Sequence, residues 1–311
     1  MSDPGWAWAG RLAGFVGLFV ACALPLALLG QLFASAAETA SAALAWWTAV
    51  PVLIAALFAT WLLAVLIDGR RLSWLGLRGG IGGVTELVLG SLAGVAIVGV
   101  PILVLAALGW VSWTASAESS LWRGVEVSAL VFGAAFSEEL LFRGYPFRVV
   151  QARFGPVAAV VATSVAFGLA HGANPGIGPL PFLNIGLAGV LLGVAYWRTG
   201  SLWFVGGVHF GWNWLMAASS LSVSGLDVSI SGLDAALSGP PLWTGGAFGP
   251  EGGLLVTILT AIGTVWLWRI GGSTGDGGRS SVSPDAGPQD GPQDGPQDEE
   301  GEIRSEDDSS N

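Results

Sequence analysis

Lysine is absent from this 311-residue chain, and all twelve of its basic residues are arginine. Charge of either sign is scarce: Asp, Glu, Lys and Arg make up 11% of the residues, against about a quarter in a soluble globular protein. A water-soluble enzyme is therefore a poor fit. The arginines form no basic patch of the kind that phosphodiester backbones demand, which argues against a nucleic-acid partner. A single cysteine, Cys22, excludes an internal disulfide and any cysteine-based metal cluster. It reads as a small apolar residue within the first apolar stretch. There are only two histidines and no HExxH pattern, so the chain is not a zincin. The net charge of -10 belongs almost wholly to one end. Residues 271–311 hold eleven acidic residues against two arginines, and residues 1–270 hold eleven against ten.

What the chain has in abundance is long apolar runs: 52% of the residues are hydrophobic and the mean hydropathy is +0.66. Stretches of about 18 residues or more with almost no charge read as membrane spans. They fall at 9–34, 45–67, 83–109, 121–142, 156–171, 183–198, 201–219 and 253–270, the fifth and sixth being short. The first is too long and too weakly basic at its start for a cleaved signal peptide. Arg70, Arg71 and Arg78 follow the second span, Arg148 and Arg153 the fourth, Arg198 ends the sixth and Arg269 the eighth. The alternate loops carry Glu38, Glu118, Asp227, Asp234 and Glu251. Because short cytoplasmic loops are enriched in arginine, this pattern places both termini in the cytoplasm. Tryptophans such as Trp6, Trp110, Trp122, Trp203 and Trp266 cluster at span ends, as interfacial anchors do. The expected fold is all-α, a polytopic membrane helical bundle of about eight spans in the cell membrane, with the lipid bilayer as its surroundings.

Four regions follow: N-terminal transmembrane helices over 1–120, a helical core over 121–220, an external loop with the last span over 221–270, and a tail over 271–311. The tail repeats GPQD three times and has too few hydrophobes to offset its ordering entropy, so a disordered acidic segment is expected.

A charge at the bilayer centre costs roughly 2.5–3.5 kcal/mol, which makes intramembrane ionisable groups the informative residues. They concentrate in three segments: Ser137-Glu138-Glu139-Leu140-Leu141-Phe142-Arg143, Phe167-Gly168-Leu169-Ala170-His171 and His209-Phe210-Gly211-Trp212-Asn213. Glu139 and Arg143 stand at i,i+4 and can pair, while Glu138, rotated by about 100°, is free to point into the bundle. His209 and Asn213 share a helix face, and Phe167 lies one turn from His171, where it can wall the ring. Glu138 and His171 each lie roughly 22–24 Å along a helix from the Phe154-Gly155-Pro156 turn, so they can meet across a helical hairpin that Pro146 should kink. His209 lies only about 12–14 Å from the turn near Gly200, which requires the sixth and seventh spans to turn inside the membrane plane. Gly207 and Gly211, like Gly189 and Gly193, have the small-xxx-small spacing of close helix contacts.

The ordered trio Glu138-Glu139…Arg143, Phe167…His171 and His209…Asn213 resembles the CPBP family of intramembrane proteases (CAAX proteases and bacteriocin-processing enzymes, also called Abi). The resemblance covers roughly residues 125–220. It implies hydrolysis of a peptide bond in a membrane-associated polypeptide, prenylated or not. It also implies roles: Glu138 as the general base assisted by His171, with His209 and Asn213 holding the developing oxyanion, and Glu139, Arg143 and Phe167 in support. The same groups could instead bind a divalent metal such as zinc, on His171, His209 and Glu138, and the resemblance implies this reading, a metallo-endopeptidase similar to CAAX prenyl proteases. Two readings from other classes stay open. A proton-coupled transporter also buries Glu and His, but it predicts internal repeats that the sequence does not display. A non-catalytic membrane scaffold or immunity protein would keep the motifs without the chemistry.

Overall fold

The computed structural model describes residues 5–36, 42–116, 120–230 and 232–270; the expected acidic tail, Glu38 and Glu118 lie outside them. All eight apolar stretches are helical. They form α1 (Ala7–Ala36), α2 (Ala42–Trp61, prolonged by a π turn over Leu62–Ile67), α3 (Gly80–Ala107), α4 (Leu121–Glu139), α6 (Pro156–Ala170), α7 (Pro179–Thr199), α8 (Leu202–Ala218) and α10 (Leu254–Ile270). Two shorter helices, α5 (Tyr145–Phe154) and α9 (Pro241–Thr244), lie in between. Helix α7 starts four residues before the expected span because Pro179 and Pro181 sit in its first turn, where a missing N–H is harmless.

Four helical stretches are long and apolar enough to cross a bilayer: Ala7–Gly30, Ala49–Ile67, Leu72–Ala107 and Pro179–Thr199. Helices over Pro156–Ala170 and Leu254–Arg269 are apolar but shorter. The outward faces agree with burial in lipid. Val157, Val161, Val165 and Leu169 form an i,i+4 stripe along α6 that is at least half exposed, and α3 and α10 carry similar stripes. Apolar surface this extensive is not left to water. The molecule is a mostly helical integral membrane protein.

One part of the all-α expectation is corrected. Val111–Ala115 (β1) pairs antiparallel with Leu233–Leu237 (β2), Val111 opposite Leu237 and Ala115 opposite Leu233. The partners are more than a hundred residues apart, so no hairpin turn announces them, and β2 lies inside a segment that reads as plain loop. The same segment also forms the 3₁₀ turns Gly246–Phe248 and Pro250–Gly252.

Glycines set the orientation of α8. A Cβ added at Gly90 or Gly94 of α3 would lie 2.1 or 2.0 Å from the carbonyl oxygens of Phe204 and Val208. Conversely, one at Gly207 or Gly211 of α8 would lie 2.3 or 2.0 Å from those of Leu87 and Ser91. The two backbones touch, which only glycine permits. Two residues further along a helix is a rotation of about 200°. Locking Gly207 and Gly211 against α3 therefore turns His209 and Asn213 to the opposite side, toward α4 and α6. Gly94→Ala should consequently destabilise the protein by about 1–3 kcal/mol, an overpacking cost. Thermal unfolding in detergent measures this, with Gly99→Ala as the mild control, since Gly99 faces only the movable tip of Leu215 at 3.3 Å.

The helical hydrogen bonding that begins in α4 passes through a π turn over Leu140–Gly144 into α5. The irregularity is centred on Gly144, with ψ at -126°, and Pro146 falls in the first turn of α5. The expected disruption thus lies just ahead of the proline. The depth conflict over His209 also resolves. Arg148 donates from Nε to the Tyr196 hydroxyl (2.9 Å), one turn before Gly200, so the Gly200 turn meets the middle of α5 and not its end. From there Glu139 and His209 are each nine residues away, about 13–14 Å, and arrive at one level.

Candidate active site

The π turn falls directly after the two glutamates, where such an irregularity often marks function, and gives them opposite surroundings. Glu139 is fully buried, whereas the Glu138 side chain keeps 29% of its surface. Arg143, also fully buried, donates from Nη1 to Glu139 Oε1 (3.1 Å) and from Nη2 to the Gly189 carbonyl of α7 (3.0 Å). Its guanidinium carbon lies 4.5 Å from the centre of the Phe167 ring. The sequence-level pairing of Glu139 with Arg143 is therefore present, but it is incomplete. His209 Nδ1 lies 2.8 Å from the same Glu139 Oε1, so Glu139 joins the arginine to the histidine of α8. No spacing within one helix could have indicated a contact between residues seventy positions apart.

Glu138 faces the other way. Its Oε2 lies 3.5 Å from His171 Nε2 and 3.8 Å from His209 Nε2, and it has no hydrogen-bond partner of good geometry. His171 ends α6, and its Nδ1 lies 2.8 Å from the Phe167 carbonyl. A carbonyl only accepts, so Nδ1 carries the proton and, in the neutral ring, Nε2 presents a lone pair toward Glu138. The Phe167 ring packs against both imidazoles, with centres 4.4 Å from His171 and 5.9 Å from His209. Asn213 lines a cavity of about 30 Å³ with His209 and Phe167, room for one or two water molecules. It makes no side-chain hydrogen bond among the described residues. The structure thus gathers Glu138, Glu139, Arg143, Phe167, His171 and His209 in direct contact, and sets Asn213 beside His209.

Two members of this neighbourhood escape a reading of the sequence. Glu251, from the segment that reads as an external loop, is buried in the cavity wall, where its carboxylate accepts from the Trp212 indole N–H and the Ser224 backbone N–H. Burial pushes its carboxyl above the usual carboxylate range, and those two donors offset part of the rise. Asn184 of α7 donates to the Glu251 and Gly253 carbonyls (2.8 and 3.0 Å) and accepts from Thr257 (2.6 Å), tying the loop to α10. A lone Glu in a Gly- and Pro-rich loop carries no sequence signal of this kind.

Among the described residues no group of three or more His, Cys, Asp or Glu is spaced as a preassembled metal centre. The chemistry of the donors nevertheless suits a divalent ion. Both imidazoles have their Nδ1 engaged, by a carbonyl and by a carboxylate, the outer-shell pattern that aims Nε2 at a metal. Glu138 Oε2 adds a buried oxygen without a partner. A cation on His209 Nε2 and a proton there are mutually exclusive.

No curated protein and no solved structure matches the chain. Residues 101–215 match the family model described as type II CAAX prenyl endopeptidase Rce1-like. That interval contains Glu138, Glu139, Arg143, Phe167, His171, His209 and Asn213, and excludes Glu251. Over that interval, which is less than half of the chain but the part that builds this cluster, the sequence is similar to the CAAX proteases of the CPBP family.

Proposed function

We propose that the chain is a multi-pass endopeptidase of the cell membrane, with eight spans and both termini cytoplasmic, that cleaves a membrane-associated polypeptide, prenylated or not. The observation that carries this reading is the Glu138 carboxylate standing within 3.8 Å of two imidazole Nε2 atoms, accessible on one side and backed by fully buried Glu139 and Arg143. Amide hydrolysis requires an activated water and donors for the tetrahedral oxyanion. Glu138, helped by the His171 lone pair, takes a proton from water as its oxygen bonds to the scissile carbonyl carbon. His209 Nε2, its ring held at Nδ1 by Glu139, and the Asn213 amide donate to the oxyanion. Collapse breaks the C–N bond, and Glu138 returns the proton to the leaving amine.

If a divalent ion such as zinc is bound, His171, His209 and Glu138 would hold it, and it would supply Lewis-acid polarisation of water or carbonyl. His209 would then be neutral and Asn213 the remaining oxyanion donor. The roles of Glu139 and Arg143 are the same in both cases.

The test is a comparison of membrane proteomes from wild-type and Glu138→Ala cells. An uncut polypeptide should accumulate in the variant and disappear on restoring Glu138. Identical peptide profiles would remove the proteolytic reading and leave the scaffold or transporter.

A further inference from the structure

Away from the protease cluster, at the end of the molecule where the arginines gather, lies a cavity of about 560 Å³. Three separate stretches of chain form it: the start of α1, the connection after α2 and the second half of α5. Each supplies arginine, Arg11 from the first, Arg70 from the second, and Arg148 and Arg153 from the third. Among the described residues the only carboxylate in the wall is Asp68, which is already engaged by Arg11 Nε (3.2 Å) and the Tyr145 hydroxyl (2.8 Å). Among the described residues four guanidinium groups thus face one carboxylate. Among the described residues Arg70, Arg148 and Arg153 have no acidic partner.

A general bias toward arginine on one side of a membrane explains charge scattered over loops, not convergence on one hollow. The hollow is also constructed. Arg148 is held at Nε by Tyr196 (2.9 Å) and at Nη1 by Gln151 (3.4 Å), so its guanidinium is fixed before anything binds. Trp8 and Trp74 line the same space, and Arg70 lies over the Trp74 ring at 5.6 Å. Indoles of this kind sit at headgroup depth in a bilayer, and the volume is in the range of a small-molecule site.

From this we infer that the cavity is a binding site for a phosphate group, the phosphodiester headgroup of an anionic membrane lipid being the source that the flanking tryptophans favour. Guanidinium matches phosphate by paired N–H···O bonds, and basic pockets between helices at the cytoplasmic face hold such headgroups. The inference does not depend on the proteolytic reading, because none of its residues belongs to the catalytic cluster.

The full chain, purified in a neutral detergent, is titrated with short-chain phosphatidylglycerol, phosphatidylcholine of the same chains, or inorganic phosphate, and its thermal unfolding followed. Phosphatidylglycerol should raise the midpoint and phosphatidylcholine should not. Arg70→Gln/Arg153→Gln, two exposed changes, should weaken the apparent affinity by about 25-fold, roughly fivefold for each arginine. Arg123→Gln, outside the cavity, should bind as wild type does, and so should Glu138→Ala. Stabilisation by phosphatidylglycerol alone assigns the lipid, and equal stabilisation by inorganic phosphate assigns the free anion. Indifference to both, or full binding by the double variant, overturns the site. Retention of phosphatidylglycerol in native mass spectra gives a second readout should the double variant melt early.

Discussion

Glu138→Gln is expected to reduce peptide-bond cleavage by about 10²–10⁴-fold, the range associated with losing a positioned general base. The fold should be unchanged. The two side chains have nearly the same shape, Glu138 keeps 29% of its side-chain surface, and its Oε2 makes no good hydrogen bond that the amide would forfeit. Cleavage of a membrane-anchored substrate in proteoliposomes, together with thermal unfolding of the same preparation, measures both quantities. Activity within twofold of wild type would exclude Glu138 as the base. The neighbouring Glu139→Gln provides the contrast. It should lose activity and stability together, because Glu139 Oε1 holds both Arg143 and His209.

The second large effect is on stability. Arg143→Ala should cost about 3–5 kcal/mol, the penalty for leaving a buried charge without its partner. Arg143 is wholly inaccessible, joins the π turn to Gly189 of α7, and lies against Phe167, so three elements lose an anchor at once. The double variant Glu139→Gln/Arg143→Met should be more stable than Arg143→Ala, because it removes both buried charges and keeps the volume filled. It should nevertheless remain inactive, since His209 has lost the carboxylate behind its Nδ1. Unfolding midpoints of wild type, Glu139→Gln, Arg143→Met, Arg143→Ala and the double variant in one detergent decide the matter. A double variant as unstable as the sum of the singles would show that the pair has no energetic coupling.

Lipid imposes severe constraints on sequence, and most of what was legible came from them. Backbone polar groups must be satisfied within each segment, so apolar runs such as 83–109 and 253–270 are helices. Charge is expensive there, so Glu138, Glu139, Arg143, His171 and His209 stood out before any geometry was known. The i,i+4 relation of Glu139 to Arg143, and of Phe167 to His171, needs only the period of a helix.

Other features depend on distance across the bundle. The bond from His209 to Glu139 follows from glycine contacts between α3 and α8 that turn His209 toward α4. The distance of His209 from the Gly200 turn follows from helical rise alone, but the level at which that turn meets α5 was set by the contact of Arg148 with Tyr196. Glu251 enters the cavity wall because Asn184 and Trp212 hold a loop inward, and β1 finds β2 across more than a hundred residues. The sequence by itself determined which segments are helical, where charge is buried and which side chains are available for chemistry, since solvation and helical period are local properties. Only the tertiary structure decided which atom of each side chain meets which, and which of two adjacent glutamates is accessible. Those outcomes depend on helix rotation and depth, which are fixed by contacts between segments that carry no trace of one another in their own composition.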